Sequence, residues 1–225
     1  MHKATWPLYV AFFIIVLPIM GYTQLAIGPK FGGGVSSVQD IEGEFPNIPG
    51  VVFSYQAGAI AQKNLSKRWA LQAELSYIRK GFEVAEQGLA FNRFFEDADY
   101  VLDYAALDVS SKFFLVSKQD IDWYVLAGPY VSVMFTGSFQ GKEGFVGLST
   151  PFNEPLSYGE NGFSRFDAGV NIGLGGQFDL GVPWFFAELR YTQGFTDILN
   201  VGQGTIRNYS LMGQFGWIFY LDGDR

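Results

Sequence analysis

The chain has 225 residues, enough for one large all-β domain or two small ones. Aromatic residues make up 18% and glycines number 28, yet only 16% of residues are charged, against roughly 25% in a soluble domain. The formal charge of −7 argues against a nucleic-acid partner, and the absence of cysteine excludes a disulfide framework and a lipid-modified cysteine.

The N-terminus carries Lys3, then an apolar run over 8–20 that Pro18 interrupts, then Gly21 and Thr23 as small residues at the −3 and −1 positions. The run is shorter than the roughly 20 residues of a spanning helix. Residues 1–23 therefore read as a cleaved signal peptide, and 24–225 as a single barrel domain. Cleavage removes Lys3, the one charge in the segment, which moves the net charge from −7 to −8. It also removes His2, the only histidine. A chain without His or Cys lacks the Ser-His-Asp, Cys-His and usual zinc ligand sets. No catalytic residue, metal site or cofactor is expected.

Eight alternating segments follow, at about 24–36, 51–63, 68–82, 100–116, 121–137, 162–178, 183–194 and 205–220. The sixth is the clearest. Phe166, Ala168, Val170, Ile172 and Leu174 form one row, and Asp167, Gly169, Asn171, Gly173, Gly175 and Gln177 the other. Successive side chains of a strand point to opposite faces, so this strand has one apolar and one polar or empty face. The same pattern sets Trp69, Leu71, Ala73, Leu75 and Tyr77 against Gln72, Glu74 and Ser76. It sets Phe185, Ala187, Leu189 and Tyr191 against Glu188, Arg190 and Thr192. Short connections at 64–67, 117–120 and 179–182 interchange with long ones near 37–50, 83–99, 138–161 and 195–204.

Alternation fits either a membrane barrel or a lipocalin-like soluble barrel with an apolar lumen. Three features favour the membrane. The polar rows are rich in Gly, Ser, Asn and Gln and poor in charge, as a crowded interior requires. Apolar-row aromatics gather near strand ends: Trp69, Trp123, Trp217 and Phe219 at the short turns, Tyr77, Phe135 and Tyr209 at the long loops. Connection lengths alternate as in outer-membrane barrels. The expected fold is an all-β, eight-stranded antiparallel up-and-down transmembrane β-barrel. The expected place is the cell outer membrane, with long loops extracellular and both mature termini periplasmic.

The stretches GPKFGGGVSSV, SYIRKGF, LDYAALDVSSKFF, DAGVNIGLGGQFDL, ELRYTQGFTDI and NYSLMGQFGWIFYL resemble the PorT-like outer-membrane β-barrel domain of Bacteroidetes-type bacteria, over about 24–221. The resemblance implies a Gram-negative outer-membrane barrel with a link to secretion machinery. The tail departs from it, because residues 221–225 follow the closing aromatics Phe219 and Tyr220.

The polar rows place Lys30, Lys112, Arg165 and Arg190 against Glu74, Asp108, Asp167 and Glu188. Eight strands enclose a lumen that side chains can just fill. An unpaired buried charge is costly, so these eight residues read as a lumen salt-bridge network. The long loops are acidic, most densely at Glu96, Asp97 and Asp99, a cluster suited to lipopolysaccharide phosphates through divalent cations or to a basic envelope partner. These features describe a non-enzymatic barrel with an occluded polar lumen, an envelope component or a protein acting through its loops. The alternatives are a small porin-like channel and a secreted lipocalin-like ligand binder.

Overall fold

The structure is a computed structural model that describes residues 24–40, 49–85, 88–90, 93–118, 120–143, 150–159, 162–181, 183–199 and 205–221. The signal-peptide assignment at 1–23 and the tail at 222–225 lie outside them. Among the described residues there are ten strands: β1 (Leu25–Asp40), β2 (Val52–Asn64), β3 (Trp69–Ala85), β4 (Gly88–Ala90), β5 (Arg93–Lys118), β6 (Ile121–Glu143), β7 (Thr150–Pro155), β8 (Phe166–Phe178), β9 (Trp184–Gly194) and β10 (Ile206–Tyr220). Eight close into a ring, β1-β2-β3-β5-β6-β8-β9-β10, and every neighbour pair is antiparallel. The seam runs from Ala26↔Tyr220 to Asp40↔Ile206. Closure leaves the ring without an edge, and in lipid every backbone polar group must be paired within the protein. Gly28 lets the seam close beside Pro29, since a Cβ there would lie 1.7 Å from the Trp217 carbonyl oxygen.

Burial follows the two rows. On β8, Phe166, Ile172 and Leu174 are exposed on the outside, while Asp167, Gly169, Asn171, Gly173, Gly175 and Gln177 are buried. An aromatic belt runs around the short-turn end. Trp69 meets Phe113 at 4.7 Å between ring centroids, and Trp123, Phe178, Phe185 and Trp217 follow one another at 6.1–6.3 Å. At the long-loop end, Tyr55, Tyr77 and Phe135 form a second belt, with neighbouring rings 6.0 and 5.9 Å apart.

The strands of two long connections differ from expectation. β5 has 26 residues and β6 has 23, where a tilted membrane strand needs about 9–11. Much of 83–99 and 138–161 is therefore strand that rises beyond the belt, with β4 and β7 attached. The apolar row changes face there. Below the belt the outward row of β3 is apolar, whereas above it the buried Phe82 and Val84 point inward. On β6 the register shifts between Asp103↔Thr136 and Tyr104↔Met134. The extra residue, Phe135, is a β-bulge that flips the inward parity from even to odd. The expected strand over 162–178 begins only at Phe166, because its lead-in is tied to the loops: Phe163 N–H donates to the Ser157 carbonyl and Ser164 N–H to the Ile198 carbonyl.

β7 pairs only with β6 among the described residues. Leu156 N–H donates to the Gly137 carbonyl at 3.1 Å, so the even-numbered residues of β7 turn their N–H groups to β6. Pro151, Asn153 and Pro155 face away, and the two prolines have no N–H to offer. Prolines on the open side blunt an edge that would otherwise template another strand.

Candidate functional site

The lumen is layered. At the short-turn end Ala26, Ile60, Phe186 and Ile218 pack together with Trp184 and Tyr220, beside a second cluster of Ala70, Phe114, Tyr124 and Leu126. At the long-loop end Val38, Phe82, Val84, Tyr100, Leu102 and Met134 form part of a larger apolar core that Phe163, Ile198 and Ile206 close over. Tyr100 stacks between Phe82 and Phe139, at 4.8 and 4.6 Å between centroids. Burial pushes the Tyr100 hydroxyl up to about 12, so it stays neutral in this core. Phe152 packs against Phe139 at 5.0 Å. The loop aromatics Phe91, Phe94, Phe95 and Phe145 have side chains outside the described residues.

Most of the buried charge lies between these clusters, in two hubs, while Lys112 and Asp122 are buried nearer the short turns. The first is built on Glu74 of β3. Arg190 of β9 grips it in a fork, with Nη1 donating to Oε2 at 2.8 Å and Nη2 to Oε1 at 2.6 Å. Lys30 Nζ of β1 pairs with Glu74 Oε2, and Gln72 Nε2 donates to Oε1. Arg190 also pairs with Glu188, whose other oxygen accepts the Tyr124 hydroxyl at 2.9 Å. All these groups are buried. A fork of two parallel N–H donors onto one carboxylate is the strongest pairing available to Arg.

The second hub is Asp167 of β8. Its Oδ2 accepts from the Tyr130 hydroxyl and Asn208 Nδ2, each at 3.1 Å, and its Oδ1 accepts from the Thr196 hydroxyl at 3.0 Å. Lys80 Nζ stands 3.7 Å from Oδ2 and 4.9 Å from the centre of the Tyr130 ring. Between the hubs, Asp108 accepts a hydrogen bond from Asn171 Nδ2, and Thr192 donates to Asn171 Oδ1 at 2.7 Å. Lys112 lies nearer the short turns. It donates to Gln62 Oε1 at 2.8 Å and sits 4.0 Å from the centre of the Tyr124 ring.

Seven of the eight residues read from the sequence as lumen charges are buried in the lumen: Lys30, Glu74, Asp108, Lys112, Asp167, Glu188 and Arg190. Arg165 is not among them. It precedes β8, is exposed, and lies 4.4 Å over the ring of Tyr158. Strict alternation assigns it to the row of Asp167, but the strand does not yet exist at that point. Two further charges buried on the lumen rows of the described residues, Lys80 and Asp122, escape the sequence reading. Lys80 continues the even-numbered row Gln72, Glu74, Ser76, and Asp122 the row of Tyr124 and Leu126. Both are visible as parity.

The acidic loop cluster resolves differently. The side chains of Glu96 and Asp97 lie outside the described residues. Asp99 stands on β5 across from Glu83 of β3 and Gln140 of β6. Among the described residues no three acidic or histidine side chains gather as a metal site. On the outer wall at the long-loop belt, Arg79 forks onto Asp103 at 2.7 and 3.0 Å, and the Tyr77 hydroxyl donates to the same carboxylate at 2.6 Å.

The chain is similar to solved structures. OprG from the outer membrane of Pseudomonas aeruginosa aligns with a TM-score of 0.52 at 14% identity, over 88% of this chain and 96% of that one. Ail, the attachment invasion locus protein of Yersinia pestis, aligns at 13% identity over 87% of this chain and 99% of that one, with a TM-score of 0.43. Comparison with curated proteins finds no match. Residues 21–200 match the family described as the outer membrane protein beta-barrel domain. With a ring of eight antiparallel strands, an apolar outer wall and that match over most of its length, the chain belongs to the outer membrane protein β-barrel domain family.

Proposed function

We propose that this protein is a non-enzymatic outer-membrane barrel with an occluded lumen that acts through its long-loop end. The observation that carries the reading is the layering: a bonded charge network lies between two apolar layers. A water-filled channel needs a continuous polar path, and the packing at both ends of the hubs opposes one. β5, β6 and β7 rise past the belt and carry a sheet beyond the membrane that a partner could meet. Resemblance to PorT-like barrels of Bacteroidetes-type bacteria favours an envelope role beside secretion machinery. Acidic side chains on the raised strands suit contact with lipopolysaccharide phosphates through divalent cations.

In this reading the long loops are extracellular and the short turns periplasmic. The chain has no cysteine, so single-cysteine variants report cleanly on sidedness. Asn153→Cys on the raised sheet is expected to react with a membrane-impermeant maleimide on whole cells. Lys67→Cys in a short turn is expected to react only after the envelope is opened. The reverse pattern would overturn the orientation.

A further inference from the structure

A cavity of about 10 Å³ lies between the two hubs. Its walls include Gln56, Lys80, Asp108, Arg190, Thr192 and Gln214. A water molecule needs roughly 10–15 Å³ and two to four polar partners, so the space fits one water and nothing much larger. Three of the lining side chains carry a polar atom with no protein partner: Gln56 Nε2, Arg190 Nε and Gln214 Oε1. All three residues are at least 95% buried, and a buried polar atom without a partner costs about 1–3 kcal/mol.

Local sequence creates the space. Gly32 is the cross-strand neighbour of both Gln56 and Gln214. A Cβ on Gly32 would lie 2.8 Å from Gln56 Nε2 and 3.1 Å from Gln214 Cγ. The missing side chain lets both amides reach the cavity wall from opposite sides of β1.

The charges at the cavity point the same way. Asp108 is buried, accepts from Asn171, and forms no ion pair among the described residues. The two cations on the same cavity make their direct contacts elsewhere, Lys80 with Asp167 and Arg190 with Glu74 and Glu188.

We propose that this cavity is a single-water site that links the first hub, through Arg190, to Asp108. One water accepts from Arg190 Nε and Gln56 Nε2 and donates to Gln214 Oε1 and the Asp108 carboxylate. Two donors and two acceptors complete its four hydrogen bonds. A halide would stand beside the Asp108 carboxylate and the Gln214 oxygen with no proton to offer either. A metal cation would face the Arg190 and Gln56 N–H groups. Neutral water satisfies all four partners. The inference concerns the interior alone and does not depend on which way the barrel faces.

The test is water-to-protein magnetisation transfer by NMR on the protein in lipid bilayers, with arginine side chains labelled and Arg190 Hε assigned by its loss in Arg190→Lys. A cross-peak between water and Arg190 Hε is expected, unchanged when chloride is exchanged for bromide. Ser210 also lines the cavity, so Ser210→Leu should fill it and remove the cross-peak while Arg190 Hε stays visible. A resolved Arg190 Hε with no water cross-peak in the wild type would overturn the proposal. So would a shift of Hε that follows the halide. Both of these results are read on the wild type and stand even if the filled variant does not fold.

Discussion

Replacing Arg190 with Met is expected to lower the unfolding free energy of the barrel by about 3–5 kcal/mol, the cost of removing one partner from a buried ion pair. Arg190 is the shared cation of the first hub, holding Glu74 through two hydrogen bonds and Glu188 through a third contact. Without it Glu188 keeps only the Tyr124 hydroxyl, and Glu74 keeps Lys30 and Gln72. Two carboxylates then share one cation in a buried layer. Removing a whole pair is a different experiment. Lys30→Met with Glu74→Leu deletes a cation and an anion together and leaves Arg190 with Glu188. Replacing both members of a buried pair by apolar residues is often neutral or stabilising. The double variant should therefore lose much less than Arg190→Met. Urea unfolding in lipid, followed by the heat-modifiable shift on detergent gels, compares the two. Equal losses would mean that bulk in the lumen matters and the charge network does not.

Ile172→Arg is expected to cost about 2–4 kcal/mol, as a cation does at the midplane of the lipid face of a barrel. Ile172 is 59% exposed and lies halfway along β8 between Phe166 and Phe178. In a soluble barrel an exposed isoleucine replaced by arginine would cost little. Leu180→Arg is the control. Leu180 is 72% exposed just past the short-turn end of the same strand, where the cost near the interface falls to about 0–1 kcal/mol. A loss at 172 with little at 180 is the depth dependence a membrane imposes. Similar small losses at both sites would favour a water-facing wall.

The transmembrane part of the fold is legible in the sequence because lipid and lumen impose a strict two-residue code. Ile172 and Leu174 against Asn171 and Gly173 specify both the strand and its faces. The code fails where its cause ends. Above the belt, water replaces lipid outside and an apolar core replaces the polar lumen, so Phe82 and Tyr100 point inward on strands whose apolar residues point outward lower down. A row that changes face reads as a loop, and the bulge at Phe135 deepens the break. The same limit explains Arg165, placed in the lumen by extending parity past the start of β8. It also explains the inward-facing Phe114, Phe186 and Ile218 at the short-turn end, where apolar side chains enter the polar lumen row. Lys80 is within reach of the code, since it lies six residues after Glu74 and keeps its parity. Pairing is not readable. Nothing in the order of residues says that Arg190 meets Glu74, 116 positions away, because that contact crosses the lumen and depends on ring closure.

Planar-bilayer recording of the wild-type barrel tests the closed, charge-paired lumen most directly. The layered packing predicts a membrane that stays at its leak level after insertion is verified by the heat-modifiable band. Stable ohmic steps carried by the wild-type protein would contradict it.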